Sequence, residues 1–359
     1  MIPNFNLDDA EAIRALDRAD MYRHLEALPD QLADAWQAAQ HFSLPQTHTA
    51  PRLIVLCGMG GSAIGGDLVA ALLRGSAPVP FVVSRSYDLP VYAYGQDVLV
   101  IASSYSGNTE ETLSAAEQAL ARGVQMLAVT TGGALAEHAQ QHGYPLWQFD
   151  YRSQPRAALG WSFGLLLGLV HRLGFAPTLT EDVPEAVDVL RAHAEQYALS
   201  TPTPRNPAKR TAGQLFGRMP VVFGGGIFEP VARRWKTQYN ENANAWAQYE
   251  PLPEANHNVV ASITFPAEHG LNVAAQFISS PSYDHPRVRL RHELTYKMCL
   301  QHGIMADVFS PQGQSALAQV CHAVQYGDYL SFYLAAAYGV DPTAIAPIME
   351  LKEQLSRRA

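Results

Sequence analysis

The sequence predicts an α/β protein with two doubly wound, mainly parallel sheets, each flanked by helices on both faces. Short apolar strands alternate with helical segments along both halves of the chain, as in proteins with parallel sheets. The second half repeats two features of the first, a glycine-rich turn and a serine-rich loop that each follow a strand. The 359 residues are enough for two domains with sizeable hydrophobic cores. We therefore expect two copies of one fold.

The first half contains five predicted strands. Apolar residues at helical spacing over 8–41 lead to the first strand, Leu53 to Cys57, which is apolar throughout, as buried parallel strands are. A glycine-rich turn and a helix from about Ala63 to Leu73 follow. An apolar helix over 157–173 closes this half. The remaining strands are predicted at 81–84, 98–102, 125–129 and 146–149.

The second half follows the same order. Its first strand, Met219 to Phe223, runs into three consecutive glycines and a helix over about 230–247. Phe277 to Ser282 then matches Ile101 to Ser106 of the first half. Asp284 would repel a phosphate from this second loop, so we expect the loop to be structural. The later helices and strand are predicted at 286–302, 305–309, 314–338 and 345–357.

The boundary between the two halves is less sharply marked. A Pro-rich polar segment at 200–207 is either an interdomain linker or an exposed loop. We place the boundary earlier, near residue 175, because the helix predicted over 181–198 goes with the second half. The predicted domains are therefore residues 1–175 and 176–359.

The composition limits the classes of partner. A formal net charge of -8 argues against a nucleic-acid-binding protein, which needs a basic face, but it allows a small anionic ligand in a locally positive pocket. The longest apolar run, residues 157–170, is too short to span a membrane and predicts a buried helix. We therefore expect neither nucleic acid nor a membrane as a partner.

The cysteines and the N-terminus indicate the compartment. The chain has three cysteines, at positions 57, 299 and 321, and neither their number nor their spacing predicts disulfides or a metal site. The segment from Met1 to Asp20 is acidic and lacks the apolar core of a signal peptide. The sequence therefore predicts a cytoplasmic protein without a bound metal.

A hydroxyl-rich loop follows the strand at 98–102. It carries Ser104, Ser106 and Thr109 around Gly107, and a helical pattern begins directly after it. Hydroxyls and free backbone N–H groups at the start of a helix form a site for an anion, typically a phosphate. The alternative is an ordinary helix cap, with Glu110 and Glu111 in the first turn and no ligand.

The glycine-rich turn, Gly58 to Gly66, matches neither common nucleotide-binding pattern. It lacks the G-x-G-x-x-G order of dinucleotide-binding folds and the Gly-Lys-Ser/Thr of a P-loop. Its glycines allow a ligand to approach the backbone, and Ser62 is placed to donate a hydrogen bond to that ligand. The alternative is a tight strand-to-helix turn without a ligand.

Two titratable residues of the second half are candidates for acid–base chemistry. Glu241 shares a predicted helix face with Arg234 and Gln238. It lies near the C-terminal end of that helix, where the dipole disfavours a carboxylate, which suits a general base. His257 stands between two asparagines in a turn-like stretch. The alternatives are a solvated surface glutamate and a surface or capping histidine.

Two cations complete the set of candidates. Arg156 directly precedes the apolar helix at 157–173, where its planar donors are suited to an oxyanion. Lys352 lies in the last predicted helix, close to Glu350 and Glu353. For both residues the alternative is a solvated surface cation.

Taken together, these segments resemble the bifunctional phosphoglucose/phosphomannose isomerases. That family belongs to the phosphoglucose isomerase superfamily and has two sugar-isomerase (SIS) domains. The resemblance runs in order through nearly the whole chain. The hydroxyl loop is shared by all SIS proteins, whereas the Glu-Asn-Ala and Asn-His-Asn motifs are specific to this branch. The matching segments are Gly58 to Ser62, Ser104 to Thr109, Pro155-Arg156, Glu241 to Ala243 and Asn256 to Asn258.

The resemblance implies that the chain interconverts glucose 6-phosphate and mannose 6-phosphate with fructose 6-phosphate, without a metal or redox cofactor. Glu241 would move a proton between C2 and C1, and Arg156 would stabilise the enediolate. His257, from the neighbouring subunit of a homodimer, and Lys352 would assist ring opening. The match of Lys352 rests on Asp341-Pro342-Thr343 and on its position in the tail. Ser104, Ser106 and Thr109 would bind the phosphate, and Gly60, Gly61 and Ser62 would lie near the sugar.

Two other functions stay open at this point. A non-catalytic SIS sensor of sugar phosphates would use the hydroxyl loop without Glu241 and His257, but such sensors usually carry a DNA-binding module, and no basic helix-turn-helix is visible. An aminosugar enzyme such as glucosamine-6-phosphate synthase would normally include a glutamine-hydrolysing domain that begins at a cysteine. Isomerisation is therefore the function we expect.

Overall fold

A computed structural model describes residues 6–44, 51–266 and 269–357, so the first five residues of the acidic N-terminal segment lie outside it. The described chain folds into two parallel sheets. The first sheet contains β1 (Leu53–Cys57), β2 (Phe81–Ser84), β3 (Val98–Ser104), β4 (Gln125–Thr130) and β5 (Leu146–Gln148). The second contains β6 (Met219–Gly225), β7 (Gln248–Leu252), β8 (Val273–Ile278) and β9 (Met305–Phe309).

The two sheets have the same topology. Their strand orders are β2-β1-β3-β4-β5 and β7-β6-β8-β9, and all the pairings are parallel. In both, the first strand of the half lies between the second and the third, so the connection after the first strand and the connection after the third run to opposite sides. The predicted repeat of one α/β fold is confirmed.

Helices surround both sheets. In chain order they are α1 (Ala10–Leu16), α2 (Met21–Glu26), α3 (Leu28–His41), α4 (Gly60–Leu73), α5 (Glu110–Ala121), α6 (Gly133–His142), α7 (Leu159–Arg172), α8 (Leu179–Tyr197), α9 (Pro207–Leu215), α10 (Glu229–Asn242), α11 (His269–Asn272), α12 (Pro286–Gln301), α13 (Ala316–Tyr338) and α14 (Ala346–Ser356).

The long, largely apolar helices α7 and α13 lie in the main hydrophobic core. α7 packs closely on α3 because it presents glycines there; a Cβ at Gly168 would lie 2.2 Å from the Cβ of Ala39. This confirms that the apolar run at 157–170 is a buried helix. No helix among the described residues is both long and apolar enough to cross a membrane.

Three elements, α10, β7 and α9, differ from the prediction. The helix predicted over 230–247 ends at Asn242, and the unpredicted edge strand β7 begins at Gln248. Its sequence, Gln-Tyr-Glu-Pro-Leu, has no apolar run because an edge strand is only partly buried. The Pro-rich segment is exposed or half-buried through Arg205 and then starts α9, also unpredicted, whose cap is the buried Asn206.

Candidate active site between the two sheets

The glycine-rich turn and the hydroxyl loop lie side by side. β1 and β3 are neighbours and parallel, so both segments leave the carboxyl edge of the first sheet. The connection after β1 leads to β2 on one side, whereas the connection after β3 leads to β4 on the other side. Ligands of open α/β sheets bind at such a switch point, in the crevice outside the carboxyl ends of the strands.

The hydroxyls of the loop are arranged around Gly107. Ser104 Oγ and Thr109 Oγ1 share a hydrogen bond of 2.9 Å, and the Gly107 N–H donates to Ser104 Oγ at 3.1 Å. Gly107 has a φ of +71°, and a Cβ there would lie 1.8 Å from the carbonyl oxygen of Gly132. Only glycine therefore fits this turn.

Thr109 is the N-cap residue of α5, but its side chain makes no capping hydrogen bond. Glu110 and Glu111 do occupy the first turn, as the capping alternative expected. The hydroxyl of Ser106 is exposed and accepts from the Asn108 N–H at 3.2 Å. The first turn of α5 thus keeps backbone donors that the Thr109 side chain does not satisfy, and these can serve an anion.

Ser62 joins the glycine-rich turn to the hydroxyl loop. The Tyr105 N–H donates to Ser62 Oγ at 2.9 Å, and the Ser103 hydroxyl donates to the Ser62 carbonyl at 3.1 Å. The Ser62 O–H group remains able to donate to a ligand, because Oγ acts here as an acceptor. α4 begins at Gly60, three residues before the predicted Ala63.

The glycine-rich turn also touches the short 3₁₀ helix that carries Arg156. This helix spans Pro155–Ala158. A Cβ on Gly61 would lie 2.8 Å from the carbonyl carbon of Pro155 and 2.9 Å from the backbone nitrogen of Arg156. The absence of a side chain at Gly61 is what allows the two segments to meet.

Arg156 is buried, with 2% of its side chain exposed, so it is not the solvated surface cation of the alternative interpretation. Its Nε donates to Asn242 Oδ1 at 2.7 Å, and its Nη1 donates to Glu241 Oε2 at 3.3 Å. Its Nη2 donates to the carbonyls of Pro342 and Thr343 at 2.9 and 3.1 Å. Burial lowers the pKa of the guanidinium, and the Glu241 carboxylate opposes that shift.

Glu241 lies in the last turn of α10 with 27% of its side chain exposed. Its Oε2 faces Arg156, while Oε1 has no hydrogen-bond partner among the described residues. It is therefore a half-buried carboxylate paired with a buried cation, with one oxygen able to take a proton from a ligand.

His257 and Lys352 lie elsewhere in the chain. His257 is exposed at the end of a 3₁₀ turn, Glu254–His257, directly after β7. Lys352 is exposed on α14, and no hydrogen bond or ion pair joins it to another described residue. The link from α14 to the site is indirect, because Arg156 binds the carbonyls of Pro342 and Thr343 just before that helix.

In the second sheet, the loop that corresponds to the hydroxyl loop carries a carboxylate, Asp284, where the first loop has none. Asp284 Oδ2 accepts from the Ser279 hydroxyl at 2.7 Å and from the Ser280 N–H at 2.9 Å. These contacts support the expectation that this loop is structural. In the described part of the chain, no group of three or more His, Cys, Asp or Glu side chains could hold a metal ion.

Sequence reasoning missed Asp328 and Ser331, which lie behind the site on α13. Asp328 is the only charged residue in the 23 residues of that helix. A single charge inside an otherwise uncharged, buried helix needs a partner, so this signal was present in the sequence. Ser331 gave no comparable signal.

Comparisons with known proteins agree with this geometry. A model of the bacterial phospho-glucose isomerase C-terminal SIS domain matches residues 204–355, and a SIS-domain model matches residues 49–144. A crystal structure of a hypothetical protein from Thermus thermophilus superimposes with a TM-score of 0.76, covering 97% of this chain and 93% of that one. At 18% sequence identity, this structural match supports the fold alone.

Two relatives are close enough in sequence to show the family. The bifunctional phosphoglucose/phosphomannose isomerase of Caldicellulosiruptor bescii is 36% identical over 340 residues, which are 94% of this chain and 99% of the relative. The enzyme of the same name from Aquifex aeolicus is 34% identical and covers 85% of this chain and 91% of its own. At these identities, and over this share of both chains, the chain belongs to the bifunctional phosphoglucose/phosphomannose isomerase family.

Proposed function

We propose that this protein is an aldose–ketose isomerase that interconverts glucose 6-phosphate and mannose 6-phosphate with fructose 6-phosphate. The observation that carries the proposal is the pair of Glu241 and Arg156 beside the hydroxyl loop. The reaction needs one carboxylate that moves a proton between adjacent carbons and one cation that stabilises an enediolate. The names of the relatives support the same activity.

The proposed mechanism starts from the open-chain aldose. Ser104, Ser106 and Thr109, with backbone N–H groups at the start of α5, bind the phosphate. Gly60, Gly61 and Ser62 lie along the sugar. This arrangement holds the phosphate end of the substrate and presents C1 and C2 to Glu241.

Glu241 then removes the proton from C2. The electrons of the C2–H bond form a C1–C2 double bond, and the C1 carbonyl oxygen gains negative charge and takes up a proton. Arg156 stabilises that charge with an Nη1 hydrogen that has no acceptor among the described residues. Glu241 then returns its proton to C1 and O2 releases its proton to solvent, which balances the proton that O1 took up from solvent and gives the ketose.

The same site serves both aldoses. Glucose 6-phosphate and mannose 6-phosphate differ only in the configuration at C2, and removal of the C2 proton gives one common enediolate. A carboxylate that reaches C2 in either configuration therefore converts both substrates to fructose 6-phosphate. In the cell this step would connect hexose phosphates to glycolysis and gluconeogenesis, and the three buried free thiols are consistent with the cytoplasm.

The purified protein tests this function directly. With glucose 6-phosphate and mannose 6-phosphate supplied separately, we expect fructose 6-phosphate from both in a coupled assay. Binding of both sugar phosphates without turnover would contradict the proposal and would favour a non-catalytic sensor.

We further propose that the active form is a homodimer in which each His257 serves the partner's site. α10 starts after the carboxyl end of β6 and leads back to the amino end of the sheet, because the next strand, β7, begins there. β7 is parallel to β6 and ends at the carboxyl end of the sheet, shortly before His257. Glu241 and His257 therefore lie at opposite edges of the second sheet, with about 18 Å of helix between Glu229 and Glu241. This separation within one chain supports a His257 that is contributed by the partner subunit.

Mixing two inactive variants tests this arrangement. Dimers formed from Glu241→Gln and His257→Ala chains contain one complete site, made from the glutamate of one chain and the histidine of the other. After joint refolding in equal amounts, we expect about a quarter of the parent activity, because half of the dimers are mixed. No recovery above the separate variants would show that His257 acts in its own chain or not at all.

The hydroxyl loop has a matched control in the second sheet. We expect Ser106→Ala with Thr109→Ala to weaken binding of fructose 6-phosphate by about 1.5–3 kcal/mol per lost hydrogen bond to the phosphate. Ser282→Ala, at the position that corresponds to Ser106, should leave the affinity unchanged. Isothermal titration measures both. An unchanged affinity in the first variant would contradict the phosphate-binding role.

A further inference from the structure

A stripe of buried polar side chains crosses the otherwise apolar interface between α10 and α13. The two helices come close because Gly327 of α13 faces the Trp235 indole of α10, where a Cβ would lie 2.2 Å from the ring. None of these side chains takes part in the proposed reaction, although the stripe reaches Arg156, which binds Glu241. Its members are Arg234, Gln238 and Asn242 on α10 and Asp328 and Ser331 on α13.

The first arm of the stripe reaches the backbone of Arg156. Asp328 binds Arg234 with both oxygens, at 3.0 Å from Nε and 2.7 Å from Nη2. The same Arg234 Nη2 donates to the carbonyl oxygen of Arg156 at 3.0 Å. Gln238 Nε2 donates to Asp328 Oδ1 at 3.0 Å and fixes the carboxylate from a second side. The peptide that carries Arg156 is thus tied to α13 through one intervening residue.

The second arm reaches the side chain of Arg156. Asn242 Nδ2 donates to Ser331 Oγ at 2.9 Å, and the Ser331 hydroxyl donates to the Asp328 carbonyl at 2.8 Å. Because its amide nitrogen is engaged by Ser331, Asn242 turns its oxygen toward Arg156 Nε, which donates to it at 2.7 Å. Ser331 therefore sets the orientation of the amide that holds the guanidinium.

The energetics argue against stability as the reason for this stripe. Arg234 and Asp328 expose 2% and 6% of their side chains. A buried ion pair of this kind contributes little, because desolvation offsets its attraction, and apolar residues of similar volume often stabilise a fold more. The Arg234–Asp328 pair and the Asn242 amide instead provide directional hydrogen bonds to Arg156, the first at its backbone carbonyl and the second at its side chain.

We propose that Asp328 and Ser331, acting through Arg234 and Asn242, are positioning residues that hold the Arg156 guanidinium in the orientation needed to stabilise the enediolate. This inference rests on the proposed function, because it assigns Arg156 a role in the reaction. None of the four residues touches the reacting carbons in the proposed mechanism. Small displacements of a charge-stabilising group lower the rate strongly, so a loosened Arg156 reduces kcat more than it affects substrate binding.

The test uses Ser331→Ala, Asn242→Ala and the double variant. We expect kcat for fructose 6-phosphate to fall about 10-fold in the first and about 100-fold in the second, with KM changed less than about threefold in both. The double variant should match Asn242→Ala alone, because Ser331 acts only through Asn242. A merely structural role would instead give independent losses of Tm with little change in kcat.

The matched control is Ser162→Ala on α7. Ser162 is also a buried helical serine that bonds a carbonyl three residues earlier, that of Leu159, but it has no partner in the site. We expect it to leave kcat and KM unchanged. Parent kcat in both Ser331→Ala and Asn242→Ala, or multiplicative losses in the double variant, would overturn the proposal.

A second readout does not depend on turnover. The Arg156 Nε–H group, identified by its loss in Arg156→Lys, should give an NMR signal that exchanges slowly with water in the parent. The exchange should be at least about tenfold faster in Asn242→Ala. A parent protein that keeps this slow signal but converts no hexose phosphate would refute the proposed function, while the positioning of Arg156 by Asn242 would still stand. Equally slow exchange in Asn242→Ala would refute that positioning.

Discussion

Replacing Glu241 by glutamine is expected to reduce isomerisation of hexose 6-phosphates by about 10²- to 10⁴-fold, the range that a positioned general base contributes. The amide keeps the size of the side chain and still accepts a hydrogen bond from Arg156, but it cannot take the C2 proton. Binding of fructose 6-phosphate should change little, because the hydroxyl loop is untouched. The measurements are kcat in a coupled assay and Kd by titration calorimetry.

The same helix supplies a control. Glu229 lies in the first turn of α10, with 32% of its side chain exposed and an arginine, Arg74, 3.9 Å away. Its exposure thus resembles that of Glu241, but it lies at the opposite end of the helix and its arginine is exposed, whereas Arg156 is buried. Glu229→Gln should retain the parent kcat within about twofold, as expected for a weak surface pair. A Glu241→Gln variant that matches this control would remove the carboxylate from the mechanism.

Replacing Arg156 by lysine is expected to have the second largest effect. An ammonium cannot reproduce the planar fork that reaches Asn242, Glu241 and two carbonyls together. We expect kcat to fall about 10²- to 10³-fold, as for the loss of an oxyanion-stabilising donor. Stability should fall as well, by about 1–3 kcal/mol for each buried carbonyl left without a donor. Kinetics and thermal unfolding measure the two effects.

Arg172 separates the catalytic effect of this substitution from the structural one. Arg172 of α7 donates from Nη1 to the carbonyls of Ala39 and Phe42, at 2.7 and 2.6 Å, and has no contact with the site. Arg172→Lys should therefore lower Tm without lowering the kcat of the folded protein. Equal kcat in the two lysine variants at equal folded fraction would show that Arg156 has only a structural role.

The fold is predictable where local sequence and burial agree. β1 is apolar throughout because both of its faces are covered, and its prediction at 53–57 is confirmed. β7 was missed because it lies at the edge of its sheet and carries Gln248 and Glu250. α10 was predicted too long because the signal for its end is weak: Asn244, just past the C-cap, adopts a φ of 50°, a left-handed conformation that asparagine tolerates but does not require.

The site is less predictable because it is made by long-range contacts. Arg156 and Glu241 are 85 residues apart in sequence, and each alone is typical of a surface charge. Their pairing follows from the packing of α4 against α10, which brings the carboxyl edge of the first sheet to the end of α10. The polar stripe depends on the packing of α13 against α10, which no local sequence pattern predicts. The single charge of Asp328 in α13 does indicate that this helix has a buried polar partner.

The proton transfer by Glu241 is tested most directly by hydrogen exchange at the reacting carbons. Fructose 6-phosphate is incubated with enzyme in D₂O, and the hexose phosphates are examined by NMR before equilibrium. The parent protein should introduce deuterium at C2 of both glucose 6-phosphate and mannose 6-phosphate, because the half-exposed carboxyl of Glu241 exchanges its proton with solvent. Glu241→Gln should introduce none above the enzyme-free rate. Deuterium appearing at the parent rate in that variant would show that Glu241 does not transfer the proton.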